Sequence, residues 1–139
     1  AEESDGTRRL VGLSPPLFAL MRTPTAVIID ELDRSLHTLL CRNRIEGFLD
    51  ADPSSSGQLI FTTHDTNLLD LTLLPRDSIW FVEKDRSGGS TLYSLAEFKE
   101  EQLEQLGSNL ERGYLSGRFG AIPFLGDPKR LGWTKKTAS

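Results

Sequence analysis

A chain of 139 residues is the size of one ordinary domain and can bury a core without disulfides or a structural metal. Its 16 Lys and Arg against 20 Asp and Glu leave a net charge of -4, which excludes an overall basic field for nucleic acid; its one cysteine, Cys41, excludes an internal disulfide framework and fits a reducing, cytoplasmic setting. No apolar run approaches the roughly 20 residues of a membrane span, and the start Ala1-Glu2-Glu3 is unlike a signal peptide, so neither membrane insertion nor export is expected.

In chain order, Ser4-Asp5-Gly6-Thr7 ahead of Arg8-Arg9-Leu10-Val11 reads as a capped helix start, because a Ser or Asp side chain satisfies free N–H groups of a first turn. Pro15-Pro16 are expected to break or restart that helix. Residues 25–29 form a short β-branched apolar run between Pro24 and Asp30, the pattern of a strand buried on both faces. From 33 to about 50, Leu36, Leu40, Cys41, Ile45, Phe48 and Leu49 return at helical spacing, which predicts an amphipathic helix. A second strand is expected over 58–62 and a brief helix over 65–70. Residues 78–83, a turn at 85–89 and residues 90–95 predict two strands in an antiparallel hairpin, with Trp80, Phe81, Tyr93 and Phe98 as core. Helices are expected over 96–106 and 109–115, after which Gly117, Gly120, Pro123, Gly126 and Pro128 imply an irregular ending. The alternation predicts an α/β fold: a largely parallel sheet with flanking helices and a C-terminal antiparallel hairpin over 1–126, then a polar, flexible tail over 127–139. Arg8, Arg9, Arg42, Arg44, Arg76 and Arg118 read as surface or ion-pair residues, with Arg118 also open to a partner or nucleic acid.

The chemistry concentrates at two strand exits. Ala26-Val27-Ile28-Ile29 ends in Asp30-Glu31, and in open α/β sheets ligands bind beyond the carboxyl ends of the strands. Two carboxylates behind a buried run cost desolvation energy unless a cation or donor compensates them, as a magnesium-nucleotide would; equally, they could start and cap the next helix. Leu59-Ile60-Phe61-Thr62-Thr63 leads in the same way to His64-Asp65. A lone histidine there is commonly a hydrogen-bonded structural residue, but one strand after Asp-Glu it also suits donation to a phosphate oxygen. His37 and Cys41 stand at i,i+4 without further ligands nearby, so core packing for Cys41 and a loop contact for His37 are favoured over zinc.

Ile29-Asp30-Glu31 resembles the Walker B motif of ABC-type ATPases. Leu32-Asp33-Arg34-Ser35-Leu36-His37 resembles their D-loop, Phe61-Thr62-Thr63-His64-Asp65 their switch region, and Ser4-Asp5-Gly6-Thr7 their signature motif, although Glu3-Ser4-Asp5-Gly6 departs from the transporter pattern Leu-Ser-Gly-Gly. The wider resemblance is to bacterial AAA-type ATPases grouped with abortive-infection and phage-defence proteins, distantly similar to SMC-type ATPases. It continues through Arg76-Asp77-Ser78-Ile79-Trp80-Phe81-Val82-Glu83-Lys84 and Gly113-Tyr114-Leu115-Ser116-Gly117-Arg118-Phe119-Gly120-Ala121-Ile122-Pro123. It implies the C-terminal part of a P-loop NTPase head that uses ATP and magnesium. Asp30 would hold the metal, Glu31 would polarise the attacking water, and His64 would contact the γ-phosphate. Asp33 and Ser35 would sense the nucleotide across a dimer, and Ser4, Gly6 and Thr7 would close over the nucleotide of a second head.

No Gly-x-x-x-x-Gly-Lys-[Ser/Thr] occurs in the chain, so the phosphate-cradling lobe is expected on a preceding part of a longer protein. Alone, this stretch is expected to bind ATP poorly and turn it over negligibly. The expected partners are that lobe and a second copy of the head, with a nuclease or nucleic acid as further candidates. Two other classes compete: a metal-dependent nuclease or phosphoesterase built on Asp30, Glu31, Asp33 and His64, and a non-catalytic interaction module whose carboxylates only cap a helix.

Overall fold

Ser4 caps the first helix in a computed structural model that describes residues 3–51, 56–85, 87–104 and 109–121. These divide into two compact units, Ala1–Pro75 and Arg76–Ser139. The expected tail at 127–139 lies outside the described residues, as do the last residues of the helix expected over 96–106.

In the first unit, helix α1 spans Asp5–Leu20 and the Ser4 side chain accepts from the Thr7 N–H at 3.2 Å. The expected break at Pro15-Pro16 does not occur, and the helix runs through both prolines. Leu13, Leu17 and Leu20 recur on one buried face, while the prolines have no N–H to offer the carbonyls four residues back, those of Val11 and Gly12, both exposed residues where water can serve them. Strand β1, Ala26–Ile29, pairs in parallel with β2, Gln58–Phe61, in the register Ala26↔Gln58 to Ile29↔Phe61. Between them lies α2, Thr38–Leu49.

Burial on both faces of β1 is not found. Val27, Ile29, Leu59 and Phe61 meet the helices, whereas the paired Ile28 and Ile60 are 75% and 53% exposed. Side chains alternate across a strand, and α1 and α2 contribute to one core only. That core gathers Leu13, Leu17, Leu20, Ile29, Leu32, Cys41, Ile45, Leu68 and Leu73.

Helix α2 begins five residues later than its periodicity predicts. His37 is its cap, accepting the Leu39 N–H on Nδ1 at 3.2 Å. Residues 32–36 form turns closed by the bonds Arg34 N–H to the Glu31 carbonyl and Leu36 N–H to the Asp33 carbonyl. After β2, a 3₁₀ turn at Thr66–Leu68 replaces the expected brief helix, capped by Asp65. Burial works against the Asp65 carboxylate, but hydrogen bonds from Thr38 and Asn67 more than offset it and hold its pKa below the ordinary value.

Arg42, on α2, ties the helix to the end of this unit. It donates to Glu46 at 2.9 Å, to Asp70 at 2.7 Å and to the Thr72 hydroxyl at 3.2 Å. Hydrogen bonds from the Thr72 hydroxyl, Arg42 and the Thr72 N–H push the Asp70 pKa down to about 2. A carboxylate whose folded pKa is depressed stabilises the fold above its unfolded pKa, near 4, and that contribution disappears as pH falls through the folded value. Asp70→Asn is therefore expected to cost about 1 kcal/mol at pH 6, with the difference from wild type shrinking to zero between about pH 4 and pH 2. Urea unfolding across that range measures it, and a pH-independent difference would contradict the linkage.

The second unit is built on the predicted hairpin: β3, Trp80–Lys84, pairs antiparallel with β4, Ser90–Ser94. Its core holds Ile79, Phe81, Leu95, Leu103, Leu110 and Phe119. Phe81 stacks on Tyr114 and Phe119 at centroid distances of 5.9 and 5.3 Å, and Phe98 meets Phe119 edge-on at 5.2 Å. Trp80 is not core as expected; it is 54% exposed, because it alternates with Phe81 onto the outward face. The continuous helix expected from 96 is also interrupted. Ser94 and Glu97 close a capping box over a 3₁₀ turn at Leu95–Glu97, and Phe98 turns extended to send its ring into the aromatic cluster before α3, Glu100–Glu104. The last helix, α4, runs Leu110–Leu115 from an Asn109 cap, as its spacing predicts. Among the described residues no helix is long and apolar enough to cross a membrane.

Candidate functional site

The parallel pairing of β1 and β2 brings the two polar strand exits side by side in the first unit. Ladder bonding continues one step past the strands: the Thr62 N–H donates to the Ile29 carbonyl at 3.0 Å, and the Leu32 N–H to the Thr62 carbonyl at 2.9 Å. The Thr62 hydroxyl then works in both directions, donating to Asp30 Oδ1 at 2.6 Å and accepting the Glu31 N–H at 2.9 Å. Asp30 is thus oriented by a neighbour while remaining exposed.

Glu31 follows in the left-handed region, with φ 50°. Such a conformation costs a non-glycine residue roughly 1–2 kcal/mol and persists only where surrounding bonds over-determine it. Here they do. Its N–H is held by Thr62, and its carbonyl accepts from Arg9 at 3.1 Å and from the Arg34 N–H at 3.1 Å. The Glu31 carboxylate itself accepts no hydrogen bond: Oε2 makes only a long ion pair, 3.9 Å, with an exposed Arg34 guanidinium nitrogen, and Oε1 lies 3.9 Å from His64 Nε2. The His64 ring is 84% exposed, and its backbone N–H donates to Asp33 Oδ1 at 3.2 Å. Asp30, Glu31, Asp33 and His64 therefore gather at one place.

Ser35, also left-handed at φ 61°, sits in the turn after Asp33. A Cβ on Gly6 would come within 2.8 Å of the Ser35 carbonyl oxygen, so glycine is what lets the first turn of α1 approach that loop. Ser4 and Thr7 share a 2.9 Å hydroxyl contact on the same turn. Among the described residues no hydrogen bond joins Ser4 or Thr7 to Asp30, Glu31 or His64. The helix-cap alternative for the two acids fails geometrically, since His37 caps α2 and the Asp30 side chain bonds Thr62.

Two participants were not singled out from the sequence. Thr62 joins the strand exits, and Arg9, expected as a surface or ion-pair residue, donates to the carbonyls of both Asp30 and Glu31 at 3.1 Å. Only the Thr62-Thr63-His64 run hinted at the first; nothing local in the sequence links Arg9 to residues 21 and 22 positions away. His37, the cap of α2, spends its Nδ1 on the Leu39 N–H. Cys41 is buried with its Sγ 3.9 Å from the Leu32 carbonyl, and burial, then the charges of Asp33 and Asp65, raise its thiol pKa. Among the described residues no three His, Cys, Asp or Glu side chains converge as a metal-holding group.

The sequence pattern of a family described as "AAA domain, putative AbiEii toxin, Type IV TA system" matches residues 1–70, just over half of the 139 and nearly all of the first unit. No curated protein matches the chain.

Proposed function

The chain belongs to that AAA-domain family, and from this premise we propose that it supplies the hydrolytic half of an ABC-type ATPase head, with residues 1–126 as its C-terminal lobe. The observation that carries the reading is the gathering of Asp30, Glu31 and His64 at the exits of two paired parallel strands, with Thr62 bridging the acids. A single exposed carboxylate at a strand end suits magnesium, which takes one or two carboxylates together with substrate phosphates rather than an all-protein cage. Asp30 would be that ligand, directly or through water. Bound Mg-ATP would supply the scissile γ-phosphoryl group and the cation that neutralises its charge.

The Glu31 carboxylate, free of hydrogen bonds, would orient the attacking water and accept its proton, and His64 would donate to a phosphate oxygen. Asp33 and Ser35, in the turn that touches Gly6, would lie at the interface with a second head. Ser4, Gly6 and Thr7, at the N-terminus of the 16-residue α1, would close over the nucleotide held by that second copy, where free N–H groups and the helix dipole favour phosphate. The phosphate-loop lobe would come from outside these 139 residues. The setting would be bacterial defence, a reading drawn from the toxin and TA-system wording of the family description.

The nuclease reading is less well served, because two-metal cleavage needs converging ligands that the described residues do not present. Phosphate release from Mg-ATP by the full-length protein, run beside cleavage of DNA and RNA without nucleotide, separates the two. ATP-dependent phosphate release with intact nucleic acid is expected. Cleavage without ATP and no phosphate release would refute the proposal.

A further inference from the structure

Glu31 is held in its left-handed conformation by bonds to its backbone, and few residues make them. The N–H groups of Glu31 and Leu32 are taken by the hydroxyl and carbonyl of Thr62. The carbonyls of Asp30 and Glu31 both accept from one guanidinium nitrogen of Arg9. Arg9 stands on α1 five, three and two residues after Ser4, Gly6 and Thr7, and the close approach of Gly6 to the Ser35 carbonyl fixes the start of that helix against the same loop. The Arg9 Nε is buried and has no hydrogen-bond partner, so the guanidinium accepts a desolvation cost to keep its outer nitrogen on the two carbonyls.

We propose that Arg9 is a positioning residue, clamping the Asp30 and Glu31 carbonyls that flank the Glu31 Cα so that α1 sets where the Glu31 carboxylate points. This inference rests on the reading of Glu31 as the group that orients the attacking water. It makes α1 a mechanical connection: whatever its first turn meets, through Ser4, Gly6 and Thr7, bears on Glu31 through a side chain two residues beyond Thr7.

The full-length protein tests it with Arg9→Met, which keeps the apolar stem but removes the donors, Arg9→Lys, whose ammonium can still serve two carbonyls, Glu31→Gln, and the double variant Arg9→Met/Glu31→Gln. In Arg9→Met, kcat for ATP is expected to fall about 10²-fold with KM within about twofold, the scale of a small misplacement of a reacting group. Arg9→Lys should recover part of that loss. In the nucleotide-free protein, exchange of the Glu31 and Leu32 amides should accelerate about tenfold or more in Arg9→Met while the amides of α2 are unchanged. Adding Arg9→Met to Glu31→Gln should cause no further loss, because the group being positioned is already gone.

Unchanged kcat in Arg9→Met, unchanged exchange, or an equal proportional loss in both backgrounds would each overturn the proposal. Should Arg9→Met not fold, Arg9→Lys carries the same cycle, and full additivity with Glu31→Gln overturns the proposal there too. Wild-type turnover in Glu31→Gln would instead overturn the reading of Glu31. Loss in Glu31→Gln with full activity in Arg9→Met would overturn only the role given to Arg9.

Discussion

Glu31→Gln is expected to lower ATP turnover by the full-length protein about 10²–10⁴-fold while leaving ATP binding intact, the range attributed to a positioned proton acceptor. Glutamine has the shape of glutamate but cannot accept the proton of an attacking water. The substitution is unusually clean here because the Glu31 carboxylate makes no hydrogen bond within range; the side chains of His64 and Arg34 lie 3.9 Å away and are 84% and 72% exposed. No buried partner is orphaned, so stability should stay within about 0.5 kcal/mol of wild type. Under the paired-head proposal, stalled hydrolysis also makes ATP-bound dimers accumulate, which light scattering with and without ATP detects. Undiminished phosphate release would remove Glu31 from the reaction, and an unchanged dimer population beside abolished release would remove the pairing.

The grouping of the candidate site residues was more legible in the sequence than the elements around it. Asp30, Glu31, Asp33 and His64 could be placed together because a strand, a helix and a second strand impose a parallel pairing, and that pairing aligns the strand exits. What periodicity could not show was where the helix starts: Leu36 fits the apolar stripe of α2, yet its backbone belongs to the turn closed by Asp33. Composition misled at Ile28, since a β-branched run looks the same whether one face or both are covered, and the described sheet has helices on one. Pro15 and Pro16 misled in the opposite sense, because the leucines at 13, 17 and 20 anchor the helix on the buried side. Arg9 was invisible as a clamp, its partners being backbone carbonyls that any residue carries.

Leu32→Ala is expected to destabilise the first unit by about 2–5 kcal/mol, the cost of emptying a leucine site that cannot collapse. Leu32 is 1% exposed and lies between Glu31 and Asp33, so the residue inserted in the core is flanked on both sides by site residues. Its N–H is bonded to the Thr62 carbonyl and its carbonyl lies 3.9 Å from the Cys41 Sγ, which leaves the backbone little room to follow a shortened side chain inward. Against a total stability of about 5–15 kcal/mol for a small domain, that loss is readily measured by urea unfolding. Leu32→Met, which conserves volume, should cost less than about 1.5 kcal/mol, and Leu39→Ala, at a site 68% exposed on α2, no more than about 0.5 kcal/mol. A loss at Leu32 as small as that at Leu39 would mean that the loop is not anchored in the core, and the fixed geometry attributed to Asp30, Glu31 and Asp33 would then have no mechanical basis.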